Sequence, residues 1–151
     1  MAEHHEKTQN GASFTLNITP YETDFDTWSD VAKLYNDPEG VMLFGVMENG
    51  TVAYDIFSSS NMNYEAAYRS VSSWRDVSEL VWESGSQQNP CLFAVTKDGG
   101  LYVSDAEAEK TISNLLDPFI DDGARIKRLA AKNGTLHIIM HDGNYISIKY
   151  R

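Results

Sequence analysis

His137 and His141, four residues apart with Asp142 adjacent, come nearest to a metal site among the residues of this chain. On a strand, positions i and i+4 share a face, so two imidazoles placed there can meet one ion. The pattern supplies no third ligand, and His141 falls at a turn entry, so the bland reading is a structural strand histidine. Asp24, Asp26 and Asp30 are spaced like oxygen ligands of a calcium loop. The central Gly and the terminal bidentate Glu are absent, which excludes a loop of the EF-hand sort and leaves a solvated acidic loop. Cys91 stands alone beside Leu92 and Phe93 with no basic neighbour in sequence, the setting of a buried, inert thiol. No Gly-rich phosphate loop and no Gly-x-Ser-x-Gly elbow occurs. The expectation is a protein without catalytic residues, metal or cofactor, and not an enzyme.

Charge narrows the partners. The 151 residues carry a net charge of −10, which argues against direct binding to a nucleic-acid backbone. The charge is uneven: residues 1–122 hold 21 acids against 6 bases, and residues 123–151 hold one acid against 6 bases. Either this is ordinary solvation with attraction between the last unit and the rest, or it is an acidic face for a basic protein partner. No apolar run reaches the roughly 18 residues that cross a membrane. Met1–Lys7 lacks an apolar core, so no signal peptide is expected, and the expected location is cytoplasmic.

The elements that must position these residues come from a repeat. Leu43–Val52, Leu92–Leu101 and Leu136–Tyr145 each read as an apolar strand, an Asn-Gly or Asp-Gly turn, and a second strand. Another strand precedes each hairpin, at Val31, Val77 and Ile126, offsets of 46 and 49 residues. A period of that size marks a blade-type repeat. The predicted organisation is a disordered tail over 1–12 and a single mainly β domain over 13–151. Its three propeller-like units span about 28–57, 74–104 and 124–150. A strand is expected at Ser13–Thr19, and a type I′ turn at Asn49-Gly50. Ser104–Glu107 reads as a capping box opening one inserted helix over about 105–116. Its apolar stripe is Ala108, Ile112, Leu115 and Leu116, and Asp117-Pro118 closes it. Ile126 and Leu129 are out of phase for a strand, which predicts a local bulge or a late strand start.

With Trp74-Arg75-Asp76-Val77 and Leu92–Tyr102, and less fully with Trp28–Val31 and Leu43–Tyr54, the chain resembles the regulator-of-chromosome-condensation type of β-propeller repeat. The third unit keeps Leu136–Tyr145 without a Trp. Asp55 and Ser104 stand where the family usually has Gly. The resemblance implies blades and a protein-interaction platform; no exchange-factor residue set maps onto this sequence. Full propellers use about 4–8 blades. Three leave open ends, to be met by a homodimer forming a six-bladed ring, by Ser13–Thr19 pairing with the last blade, by the helix covering a face, or by one curled sheet.

The functional expectation is a non-enzymatic, acidic protein-interaction module. One concrete version is a small phage or mobile-element inhibitor that occupies the basic nucleic-acid-binding groove of a partner such as a CRISPR nuclease. The expected contacts are Glu22, Asp24, Asp26 and Asp30, then Asp121 and Asp122, with Trp82 as an apolar contact because it has no counterpart in the other units. The alternatives are a carbohydrate- or ligand-binding β-repeat module, and an enzyme whose site is not visible in sequence.

Overall fold

The same backbone solution recurs three times. A computed structural model of the chain describes residues 3–9, 12–18, 28, 30–38, 40, 42–56, 68–85 and 90–151. β1 (Glu3–Gln9) and β2 (Ala12–Ile18) form an antiparallel hairpin. Blade one is β3 (Val31–Asn36), β4 (Met42–Met47) and β5 (Val52–Ile56); blade two is β6 (Val77–Trp82), β7 (Leu92–Thr96) and β8 (Leu101–Val103). α1 (Ala106–Asp121) follows, and blade three is β9 (Ile126–Lys132), β10 (Thr135–Met140) and β11 (Tyr145–Lys149). A 3-10 helix, Arg69–Ser73, precedes blade two. Each blade is a separate three-stranded antiparallel meander, so the fold is mainly β with propeller-like blades, not one curled sheet.

The second hairpin of every blade turns identically. Gly50, Gly99 and Gly143 donate back to Met47, Thr96 and Met140 at 2.9, 3.0 and 3.0 Å. Those residues in turn donate to Thr51, Gly100 and Asn144 at 2.8, 3.0 and 2.9 Å. The three glycines have φ of 85, 82 and 89°, the left-handed closing position of a three-residue loop. Asn49 has no positive φ, so the type I′ turn expected there is not formed; its carboxamide Oδ1 instead accepts the Thr51 N–H at 3.0 Å. The type I′ geometry falls at the first hairpin of blade three, Asn133 (φ 49°) and Gly134 (φ 81°).

The bulge expected in blade three is present, with Met140 opposite Ile126 and Ile139 opposite Arg128. Blades one and two carry it too, between Val31 and Lys33 and between Val77 and Glu79. Ala32, Ser78 and Lys127 are therefore the same extra residue.

Consecutive blades pack face to face. Blades one and two enclose an aromatic core of Met42, Phe44, Val46, Val52, Tyr68, Trp74, Leu80, Leu92 and Ala94. Blades two and three enclose a largely aliphatic one, with Phe93, Val95, Val103, Ile126, Leu136, Ile138, Met140 and Ile148. β7 is buried on both faces because a blade lies on either side, whereas β10 alternates. α1 lays Ala108, Ile112 and Leu116 into the second core. Leu115, expected in that stripe, is 55% exposed.

Three expectations are corrected. Glu3–Gln9, read as part of a disordered tail, forms β1; the register pairs Gln9 with Ala12, and the sequence between them is Asn-Gly, a hairpin dipeptide overlooked in a polar stretch. β2 pairs with β1, not with the last blade. α1 runs past Pro118 to Asp121, with Asp105, not Ser104, as its N-cap, accepting from the Glu107 and Ala108 N–H groups at 2.9 and 3.1 Å. Pro118 is exposed and lacks the N–H that would bond the carbonyl four residues back. The helix ends at Gly123 (φ 96°), where Gly123 and Ala124 donate to Ile120 and Phe119.

Candidate partner-binding surface

The repeated turns lie on one continuous rim, because each blade's turn is hydrogen-bonded to the residue that opens its own blade. Glu48 donates its N–H to Asp30 O, Lys97 to Asp76 O and His141 to Arg125 O, at 2.8, 2.8 and 2.9 Å. Between blades, Val77 N–H reaches Gly50 O at 2.9 Å, Ile126 N–H reaches Gly99 O at 3.0 Å, and Lys97 Nζ donates to Glu48 O at 3.2 Å. The α1 C-terminus joins the same rim: Arg125 donates to Ile120 O at 3.0 Å.

The rim is acidic. Asp30, Glu48, Asp76, Asp98, Asp122 and Asp142 are all exposed on it, against the cations Lys97 and Arg125. The Asp98 carboxyl is held below the usual carboxylate range, first by the hydrogen bond from Thr96 Oγ1. Two open pockets indent the rim. One, of about 620 Å³, is lined by Trp28, Asp30, Met47, Glu48, Asn49, Thr51 and Ala53. The other, of about 400 Å³, lies among Phe119, Asp122, Arg125, His141 and Asp142.

The structure thus brings Asp30 and Asp122 onto one rim, with exposed Asp121 beside the latter in the chain. Asp121 and Asp122 close a helix whose last turn holds no basic residue. The negative end of the helix dipole disfavours carboxylates there, by about 0.3–1 kcal/mol each. Glu22, Asp24 and Asp26 lie outside the described residues. Trp82 is half-buried, 5.1 Å from Phe44 and 5.8 Å from Tyr35 between ring centres, and its Nε1 is buried without a hydrogen-bond partner among the described residues. Its ring therefore belongs to the packing between blades one and two. His137 stacks on Tyr145 and meets its hydroxyl at 2.5 Å, while His141 sits in the turn. Among the described residues no group of three His, Cys, Asp or Glu side chains stands together as a metal site. Cys91 is buried, and burial above all pushes its thiol up to about 11.

Sequence reasoning missed a buried carboxylate. Glu83, 2% exposed, accepts from Arg151 Nη1 at 2.7 Å, Tyr150 Oη at 2.7 Å, Gly134 N at 2.6 Å and Cys91 N at 3.3 Å. Burial, then the bond to Glu83, raises the Tyr150 hydroxyl far above its ordinary value. Burial works against the Arg151 charge, but Glu83 and Asp105 outweigh it and raise its pKa. The 46-residue offset held the clue: it pairs Glu83 with Asp37, which caps blade one the same way by accepting Met42 N–H at 2.8 Å. Every donor around Glu83 is satisfied, so the cluster is a latch joining blade two to the C-terminal residues.

No family model matches the chain, and no curated protein matches it. Among the described residues no helix is long and apolar enough to cross a membrane.

Proposed function

We propose that the protein is a non-enzymatic, acidic interaction module of the cytoplasm, whose rim of turns binds a basic protein. In its concrete form it is a small phage or mobile-element inhibitor that fills the basic nucleic-acid-binding groove of a partner such as a CRISPR nuclease. The observation that carries this reading is the rim, where turns from three blades and one helix end converge with carboxylates outnumbering cations. Asp121 and Asp122 support it further, because a cationic partner would relieve their conflict with the helix dipole. The blade architecture fits a scaffold that works through its surface, as the resemblance to regulator-of-chromosome-condensation repeats implies. Of the aromatic rings that a sugar-binding module would expose, Tyr54, Tyr68, Trp74, Trp82 and Tyr102 are packed between blades one and two, which leaves Trp28, Phe119 and Tyr145 on separate parts of the described surface. The acidic stretch Glu22, Asp24 and Asp26 precedes Asp30 in sequence and is assigned to the same contact. The test is capture of a partner from host lysate, followed by competition with the partner's own nucleic acid in an anisotropy titration. Displacement of the nucleic acid by the wild-type protein, weakened in Asp121→Asn/Asp122→Asn, is expected. A partner that binds nucleic acid and this protein simultaneously overturns the groove assignment.

A further inference from the structure

Each junction inside the chain obeys one rule: the glycine ending a blade's turn abuts the residue that opens the next blade. A Cβ added to Gly50 would stand 2.7 Å from Asp76 Cα, and one added to Gly99 2.7 Å from Arg125 Cβ. The third member of the set, Gly143, has nothing within 4 Å among the described residues. At the other end of the array, Asp30 and Val31 hold the places of Asp76 and Val77. The pocket of about 620 Å³ beside Trp28 and Asp30 corresponds to the notch beside Trp74 and Asp76 into which the turn of blade one docks.

Three of the large exposed apolar residues follow the same register; the other two among the described residues, Leu115 and Phe119, lie on α1. Leu34 occupies the position of Leu80 and Leu129, Ile139 that of Val46 and Val95, and Tyr145 that of Val52 and Leu101. All six counterparts lie in or against the cores between blades. Leu34, Ile139 and Tyr145 themselves are 61%, 40% and 58% exposed. They are inter-blade core residues on two faces that, among the described residues, no blade of the same chain covers. Charge is complementary as well: blade one, over residues 28–57, holds five acids and one Lys, whereas residues 123–151 hold six bases and one acid.

The geometry points to a second copy of this chain as the occupant of both faces. Two chains join head to tail, blade three of each seated on blade one of the other, and close a six-bladed ring with two-fold symmetry. That number lies within the roughly 4–8 blades of closed propellers. Gly143 O accepts the Val31 N–H of the other copy, as Gly50 O accepts that of Val77, and Leu34 packs against Ile139, as Leu80 shares a core with Val46. Docking leaves the acidic rim outside, because Asp76 and Arg125 are exposed although their junctions are closed.

Light scattering on the full chain tests this, and the expected mass is twice that of one chain. Leu34→Glu and Ile139→Lys should each weaken dimerisation about 100-fold, since the ring buries an unpaired charge at both of its junctions. Leu34→Ser and Ile139→Ser should weaken it less and in the same direction. Circular dichroism should show all four folded, because both side chains are exposed in the monomer. Mixing Leu34→Glu with Ile139→Lys should restore the dimer: one junction then carries opposite charges face to face, and the other is wild-type. A monomeric wild type, an oligomer other than two, variants that stay dimeric, or a mixture that stays monomeric each overturns the ring.

Discussion

The two junctions between blades share a backbone and differ in filling. Between blades one and two the space is taken by rings: Phe44 meets Tyr68 edge-on at 5.3 Å, and Trp74 stacks on Tyr102 at 5.3 Å. Between blades two and three the rings give way to aliphatic side chains, a helix face and the Glu83 latch. There the loop after β6 also reaches across, with Ser84 donating to Ala131 O at 2.8 Å and accepting from Asn133 N at 3.0 Å. The difference teaches that blade order is set by main-chain bonds from turn to next strand, while each gap is filled by whatever volume suits it. The rings of the first junction carry polar atoms at their edges, Tyr68 Oη donating to Pro90 O at 3.2 Å and Tyr102 Oη accepting from the Arg75 N–H at 3.4 Å. The buried carboxylate of the second junction obtains four donors.

Breaking either junction from inside is expected to cost most. Glu83→Ala leaves the Tyr150 hydroxyl and the Gly134 N–H without their acceptor and Arg151 without its counter-charge. A loss of about 3–5 kcal/mol is expected by denaturant unfolding at fixed protein concentration. Phe44→Ala should cost a comparable amount, about 3–5 kcal/mol, through a cavity alone, and its loss should not change with salt. A Glu83→Ala variant within about 0.5 kcal/mol of wild type, inside the spread of ordinary surface changes, would remove the contrast between the junctions.

The turn glycines sharpen the comparison between closed and open junctions. Gly50→Ala and Gly143→Ala both force a side chain into the left-handed region, at about 1–2 kcal/mol. Only Gly50→Ala also drives a Cβ into the Asp76 backbone, so its melting temperature should fall further than that of Gly143→Ala when both are measured as monomers in the Leu34→Glu background. Equal losses would mean that the turn of blade one does not seat on blade two.

A smaller effect separates the junctions by pH. Burial raises the Asp105 pKa, but the Ala108 N–H, Arg151 and the Glu107 N–H outweigh it and hold the carboxyl below its ordinary value. Folding therefore favours the ionised form. The resulting stabilisation is present above the unfolded value of about 3.9 and is lost as pH falls through the lower folded value. Urea midpoints followed from about pH 6 to about pH 3 should drop less steeply in Asp105→Asn than in wild type. Identical slopes would show that Asp105 does not titrate with the second junction.

Much of this fold was legible in sequence, for local reasons. Asn-Gly and Asp-Gly mark three hairpin tips because the left-handed turn position is specified by a single residue type, and equal spacing made the blades visible. The shared bulge was read only in blade three, where Ile126 and Leu129 fall out of phase; in blades one and two it hides behind Ala32 and Ser78, which suit either face. The helix end was misplaced because Pro118 outweighed the Gly123 signal. The latch joins Glu83 to residues 67 and 68 positions away, and no local pattern reports such a contact. Of the proposed contact residues, Asp30, Asp121 and Asp122 could be nominated by charge alone, but their common rim arises only when the blades stack.

The claim most open to direct test is that this rim recognises a basic partner by charge. Stopped-flow association with the captured partner should be measured for the wild type and for a variant carrying Asp121→Asn and Asp122→Asn with Glu22→Gln, Asp24→Asn and Asp26→Asn. Asp98 and Asp142 are left intact because their side chains hold the turns. The wild-type association rate should fall about 10-fold or more between low and high salt, since exposed charges are screened over about 8 Å at physiological ionic strength. The neutralised variant should associate slowly at both salt concentrations while dissociating nearly as the wild type does. An association rate indifferent to salt and to neutralisation would refute recognition by charge.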